Sequence, residues 1–333
     1  MTRPLLQPGI LAPDFRLPAA AGGEVALADL RGRPLALIFF PGVADGELAG
    51  GLARFGERAA AFGEQNAALV GISDAPVERL AALASAAELA FPLLSDARPP
   101  RAVAARYGAV SAEGQVTPAV FMADADGLIR RVYDPQTYPD LPNAAMVVRA
   151  LMKLAETPKP APVTEADWRS GPAGAPVVLV AYSDYECRHC QQLHTVLHAV
   201  LPAFGGRVAM VHRNLPIRHS HPLAQGAAEA AEAAGAQGRF WEMHDRLFDA
   251  GGRLQREDLL AYAGELGLDL ARFSAELDGR THQEAVNESL KAAVRGKIKL
   301  PPTVFINGIL WEGPHTAQAL SARVAALLAC AEG

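Results

Sequence analysis

The chain has 333 residues, half of them hydrophobic, and a formal net charge of −5. That length exceeds an ordinary single domain and supplies apolar material for two cores. The acidic balance leaves no basic footprint for nucleic acid, and no apolar run approaches the ~20 residues of a membrane span.

Residues 1–8 lack the apolar segment and small-residue cleavage site of a secretory signal, so a cytoplasmic protein with no membrane attachment is expected. Through the first half, the segments at residues 12–18, 35–41, 70–74, 91–96 and 106–108 follow one another in a recognisable order. Their order and spacing resemble a peroxiredoxin of the alkyl hydroperoxide reductase and thiol-specific antioxidant group, and the likeness covers residues 9–155. The resemblance implies a threonine and, three residues later, a peroxidatic cysteine in the loop after Pro41. Asp45 and Leu48 stand there instead, and no cysteine occurs before Cys187. The arginine that steadies the peroxidatic thiolate is also missing. Thr117-Pro118-Ala119-Val120-Phe121 occupies its stretch and resembles the proline loop of ordinary thioredoxin folds. The expectation is a thioredoxin fold without peroxidase chemistry, kept for docking, dimerisation or client binding.

Pro158, Pro160 and Pro162 alternate with other residues, so residues 156–165 read as an extended spacer. Beyond it, residues 176–182 form an apolar run of strand length, and Leu193, Val196, Leu197, Val200 and Leu201 then recur at helical spacing up to Gly205-Gly206. Cys187-Arg188-His189-Cys190 falls where strand gives way to helix. A thiolate at a helix N-terminus is stabilised by the unpaired N–H groups and the helix dipole, with Arg188 and His189 adding positive charge. Cys187 is therefore the expected nucleophile and Cys190 the resolving thiol. In a reducing cytosol such a pair is catalytic or redox-sensing rather than structural. The rival reading from spacing is a metal site, since Cys190, His194 and His198 recur every fourth residue on one helical face.

Residues 182–190, with Arg213-Asn214-Leu215-Pro216, His221-Pro222, residues 238–244 and residues 303–308, resemble the DsbA-type thioredoxin family over residues 166–333. The resemblance implies a thioredoxin fold with a helical insertion. Independently, nearly everything between His221 and Lys299 reads as helix. Asn307-Gly308 between Val304-Phe305-Ile306 and Ile309-Leu310-Trp311 reads as a hairpin, and residues 317–328 as a last amphipathic helix. By resemblance, Pro302 is the cis-proline facing the cysteine pair, and His189 is the imidazolium that makes the disulfide a stronger oxidant. Pro301 departs from the family pattern, because it has no N–H to offer a peptide added as a strand. Asp184 and Glu186 are weak candidates for proton handling. His212, His219, His221, His244, His282 and His315 read as core or surface residues, and Cys330 as a bystander.

The sequence thus describes an α/β protein of two tandem thioredoxin-like folds, the second with a helical insertion: residues 1–155, a linker at 156–165, and residues 166–333. The expected activity is dithiol–disulfide oxidoreduction through Cys187, Cys190, His189 and Pro302, without organic cofactor or metal. Expected substrates are protein or low-molecular-weight thiols and disulfides, with thioredoxin, glutathione or a peroxiredoxin as partner. Two alternatives stand beside it: an antioxidant partner serving a peroxidase in trans, and a non-redox or metal-binding scaffold.

Overall fold

The computed structural model describes residues 4–42, 46–98, 102–139, 141–154 and 156–332. Asp45 lies outside them. Two units emerge, one running to Thr157 and taking in the residues from Ala329 on, the other Pro158–Leu328.

In the first unit a short hairpin, β1 (Arg16–Pro18) and β2 (Glu24–Ala26), precedes the main sheet. There follow β3 (Leu35–Phe40), α1 (Gly46–Glu57), α2 (Ala59–Glu64), β4 (Ala68–Ser73), α3 (Val77–Ala86), β5 (Leu93–Ser95), α4 (Ala102–Tyr107), β6 (Ala119–Ala123), β7 (Ile129–Tyr133) and α5 (Ala144–Leu154). The five-stranded sheet runs β5-β4-β3-β6-β7, with β3 parallel to β4 and antiparallel to β6. Every residue of β3 is buried, as a central strand covered on both faces requires. Its side chains alternate between two cores. Leu35, Leu37 and Phe39 pack with Tyr107 of α4 and Phe121, whereas Ala36, Ile38 and Phe40 pack with Leu52 and Phe55 of α1, Phe62 of α2 and Val147 of α5. Leu48, at the position where the resemblance calls for a thiol, is buried in that second core. Cys330 is buried in the first, its Sγ 3.8 Å from the Leu5 carbonyl oxygen.

The second unit has β8 (Trp168–Ser170), β9 (Val177–Ser183), α6 (Arg188–Val200) and β10 (Val208–Asn214). Five helices follow: α7 (Ala224–Gly235), α8 (Phe240–Asp249), α9 (Arg256–Glu265), α10 (Leu270–Asp278) and α11 (Gln283–Arg295). The chain then returns as β11 (Thr303–Ile306), β12 (Ile309–Leu310) and α12 (Ala317–Glu332). The sheet order is β12-β11-β9-β10-β8, with β9 central, parallel to β10 and antiparallel to β11. Asn307 and Gly308 both take positive φ, 48° and 73°, which a two-residue hairpin of this twist demands. In the helical insertion the alanines of α7 bury against α8, and Trp168 stacks on Phe240 with ring centroids 4.3 Å apart and planes 6° from parallel.

The proline-rich stretch is not a free spacer. Arg213, buried on β10, donates to the carbonyl oxygens of Ala161 and Pro162, to Tyr182 Oη and to both carboxylate oxygens of Asp167, and Lys159 N donates to Gly296 O at 2.9 Å. A guanidinium buried here requires that many acceptors, and the carbonyls of Ala161 and Pro162 supply two of them.

Replacing Phe39 by alanine removes the ring that packs edge-on to Phe121 at 5.5 Å and against Tyr107 at 5.0 Å. The expected cost to the first unit is about 3–5 kcal/mol, read as a lowered denaturation midpoint in urea followed through that unit.

Candidate functional site

Strand β9 ends at Ser183, and three residues later the chain turns into α6 with Cys187 as its N-cap, at φ −76° and ψ 116°. The cap is extended, so its carbonyl accepts the first helical bonds, from Cys190 N at 3.0 Å and Gln191 N at 3.1 Å. The turn is braced by two acids. Asp184, whose side chain is wholly buried, accepts from Glu186 N and Ile217 N and lies 2.8 Å from His221 Nδ1, each contact at 2.8 Å. Glu186 accepts from the amides of Leu223 and Ala224 at the start of α7, where the unpaired N–H groups favour an anion. Both acids, read in sequence as weak candidates for proton handling, hold the turn through these bonds.

Both cysteines are reduced, and their environments differ sharply. The Cys190 thiol donates to the Cys187 sulfur, as do the backbone N–H groups of Cys190 and His189. Together they overcome burial and the repulsion of Asp184 and bring the Cys187 pKa from 9.0 down to about 5. Cys190 is 1% exposed, and burial, then its bond to Cys187, pushes its thiol far upward. Its Sγ accepts from Asp184 N at 3.5 Å. The side chains of Arg188 and His189 are exposed, and the contact His189 makes with Cys187 is through its backbone N–H.

Pro302 follows Pro301 through a cis bond and immediately precedes β11. The register pairs Thr303 with Tyr182, which sets the proline loop at the end of the sheet where β9 delivers the cysteine turn. In the first unit Thr117-Pro118 leads into β6 without a cis bond, which distinguishes it from the Pro301-Pro302 loop.

Behind the cysteines lies a group of rings that sequence reading left as separate core or surface residues. Tyr185 Oη sits 3.0 Å from His244 Nδ1, and the His212 and His244 rings meet edge-on at 4.5 Å. His212 Nε2 contacts Asn214 Oδ1 at 3.1 Å, while Asn214 and Trp168 both donate to the half-buried Glu232. Burial lowers the pKa of His212 to about 4 and that of His244 well below the usual value. His221 is the exception: burial opposes its charge, but the bond to Asp184 outweighs it and raises its pKa. Only the His194–His198 pair had a local signal, its i,i+4 spacing. The partners come from β10 and α8, too far along the chain for any period to reveal. Cys190 turns toward Cys187 and Asp184 N, and among the described residues the cluster able to hold a metal is His194, His244 and Asp245 without it.

Comparison with known proteins matches residues 8–132 to the AhpC/TSA family and residues 164–326 to the Thioredoxin family. The chain is a fusion of an AhpC/TSA, peroxiredoxin-like domain with a thioredoxin-like domain, both of α/β class. Among curated relatives, Na(+)/H(+) antiporter NhaA 1 of Salinispora arenicola is 42% identical over 165 residues, which are 50% of this chain and 25% of that protein. The NhaA antiporter of Herminiimonas arsenicoxydans is 38% identical over 158 residues, 47% of this chain and 25% of that one. The chain thus spans about a quarter of the length of these relatives. Among solved structures, peroxidoxin BcpB of Mycobacterium tuberculosis is similar at 29% identity and TM-score 0.40, covering 45% of this chain and 97% of that one. Oxidised BdbD of Bacillus subtilis is similar at 18% identity and TM-score 0.45, covering 53% and 98%. No helix among the described residues is long and apolar enough to cross a membrane.

The asymmetry of the two thiols gives a pH signature. Since the folded Cys187 pKa lies below its ordinary value of 9.0, the stability it confers on the reduced protein is full above 9.0 and lost as pH falls through about 5. Alkylation of the reduced protein by iodoacetamide should titrate with a midpoint near pH 5 at Cys187, while Cys190 stays unmodified across the same range, both read by peptide mass.

Proposed function

We propose that the protein is a dithiol–disulfide oxidoreductase of DsbA-like type, working through Cys187 and Cys190. The observation that carries this reading is the placement of Cys187 as the N-cap of α6, with Cys190 buried in the first turn behind it and held by Asp184 N. Acting as a reductant, the Cys187 thiolate attacks one sulfur of a substrate disulfide, forming a mixed disulfide and expelling the other sulfur as a thiolate. Cys190 then gives up its proton and attacks Cys187 Sγ. The Cys187–Cys190 disulfide forms, and the second substrate sulfur leaves as thiolate. Oxidation of a substrate dithiol is the same sequence reversed, with Cys187 as the better leaving group because its pKa is lower. Once Cys187 is in a mixed disulfide its negative charge is gone, which removes one of the causes that raise the Cys190 pKa.

In this reading Pro302 shapes the surface that receives an extended substrate segment beside Cys187. Pro301 withholds one backbone donor from such a segment, which narrows the accepted partners. The first unit, without a thiol between Met1 and Glu186, serves as a docking or dimerisation module. The cytoplasm is the compartment in which this reading sets it, with glutathione, thioredoxin or a peroxiredoxin as exchange partner.

Cys187→Ser should abolish turnover of a disulfide substrate, and Cys190→Ser should accumulate mixed disulfides visible on non-reducing gels and identifiable by mass. Wild-type turnover in both variants would sink the assignment. The direction of flow is set by the reduction potential of the pair, measured in glutathione buffers with Cys330→Ser. A value near about −270 mV makes it a reductase, and one near about −120 mV a dithiol oxidant.

A further inference from the structure

The rings behind the cysteines end in a solvent-reaching cavity of about 210 Å³, walled by His194, His198, His244, Asp245 and Trp241. On α6, His194 and His198 are one turn apart and stack at 4.3 Å, with both Nε2 atoms directed at the same carboxylate oxygen, Oδ1 of Asp245, at 3.3 and 3.0 Å. One ligating atom from each of His194, His244 and Asp245 lies within 4.8 Å of the other two. His198, with 58% of its side chain exposed, has the freedom to follow a ligand into that group. His244 Nδ1 is engaged by Tyr185 Oη, so its Nε2 is the nitrogen left to ligate, held by the kind of outer partner that orients a metal-bound imidazole.

We propose that His194, His198, His244 and Asp245 form a binding site for a divalent transition ion of the zinc class, joining α6 to α8. The donor set of three imidazoles and one carboxylate suits a tetrahedral ion with intermediate softness. An ion with bonds of ~2 Å draws its ligand atoms to roughly 3.3 Å of one another, so binding tightens a group whose His194, His244 and Asp245 atoms lie within 4.8 Å. To bind the ion through Nε2, each α6 imidazole carries its single ring hydrogen on Nδ1, so that the Nε2 now facing Asp245 offers its lone pair to the ion. This site stands apart from the thiols: Cys190 takes no part, and the proposal holds whether or not the cysteines exchange disulfides.

The test is titration of the full chain with Co²⁺ followed in the visible and near-ultraviolet, on the wild type and on the Cys187→Ser/Cys190→Ser variant, because vicinal thiols bind such ions themselves. One equivalent should bind in both, giving d–d bands of nitrogen and oxygen ligation without a sulfur-to-cobalt charge-transfer band, and Zn²⁺ should displace it. His198→Ala, at an exposed position, and Asp245→Asn should each weaken binding by at least ~10-fold, and Tyr185→Phe by ~10–100-fold. Three results would overturn the proposal. These are no stoichiometric binding in either protein, a sulfur charge-transfer band that vanishes in the cysteine variant together with the binding, or affinity unchanged in both His198→Ala and Asp245→Asn.

Discussion

The active turn hangs on one buried carboxylate. Asp184 has no exposed side-chain surface, and a charge so placed is tolerated only when donors surround it. Here they are two backbone amides and His221, drawn from the turn itself and from the segment after β10. The same residue's backbone N–H reaches Cys190 Sγ, and its carbonyl accepts from Cys187 N. One residue therefore ties the end of β9, both cysteines and the entry to the helical insertion. Removing the carboxylate would leave two backbone amides without their acceptor at the turn. Its negative charge also opposes the Cys187 thiolate, so position is gained at some expense in acidity.

The acidity is recovered by neutral donors. Three hydrogen bonds, one from sulfur and two from backbone, converge on the Cys187 thiolate, and they are fixed by the helix start rather than by flexible side chains. Oxidation removes the charge these donors serve. In the proposed exchange those donors favour the reduced pair, and the Arg188 and His189 side chains stay exposed.

What could be read from sequence follows the range of each signal. The cysteine pair at a strand-to-helix junction, the Asn307-Gly308 hairpin and the helical run before Lys299 rest on neighbouring residues, and all are present in the structure. Sequence displays the charges of Arg188 and His189 but not the hydrogen bonds that the Cys190 thiol and two backbone amides give Cys187. Alternating prolines suggest an extended strut, but the arginine that clamps it sits some fifty residues further on, out of reach of a local signal. The histidine cluster needed α8 laid against α6, which no periodicity encodes. In the first unit, by contrast, the loss of chemistry was plain, because a missing cysteine requires no fold to detect.

The stacked Trp168 carries a practical consequence. All three tryptophans, Trp168, Trp241 and Trp311, belong to the second unit, and the first has none. Indole fluorescence from the unlabelled chain is therefore a private channel to the thiol-bearing half. Trp168 rests flat on Phe240 with its N–H on Glu232, so the emission follows the seating of the helical insertion, while the cysteine-poor half unfolds in the dark.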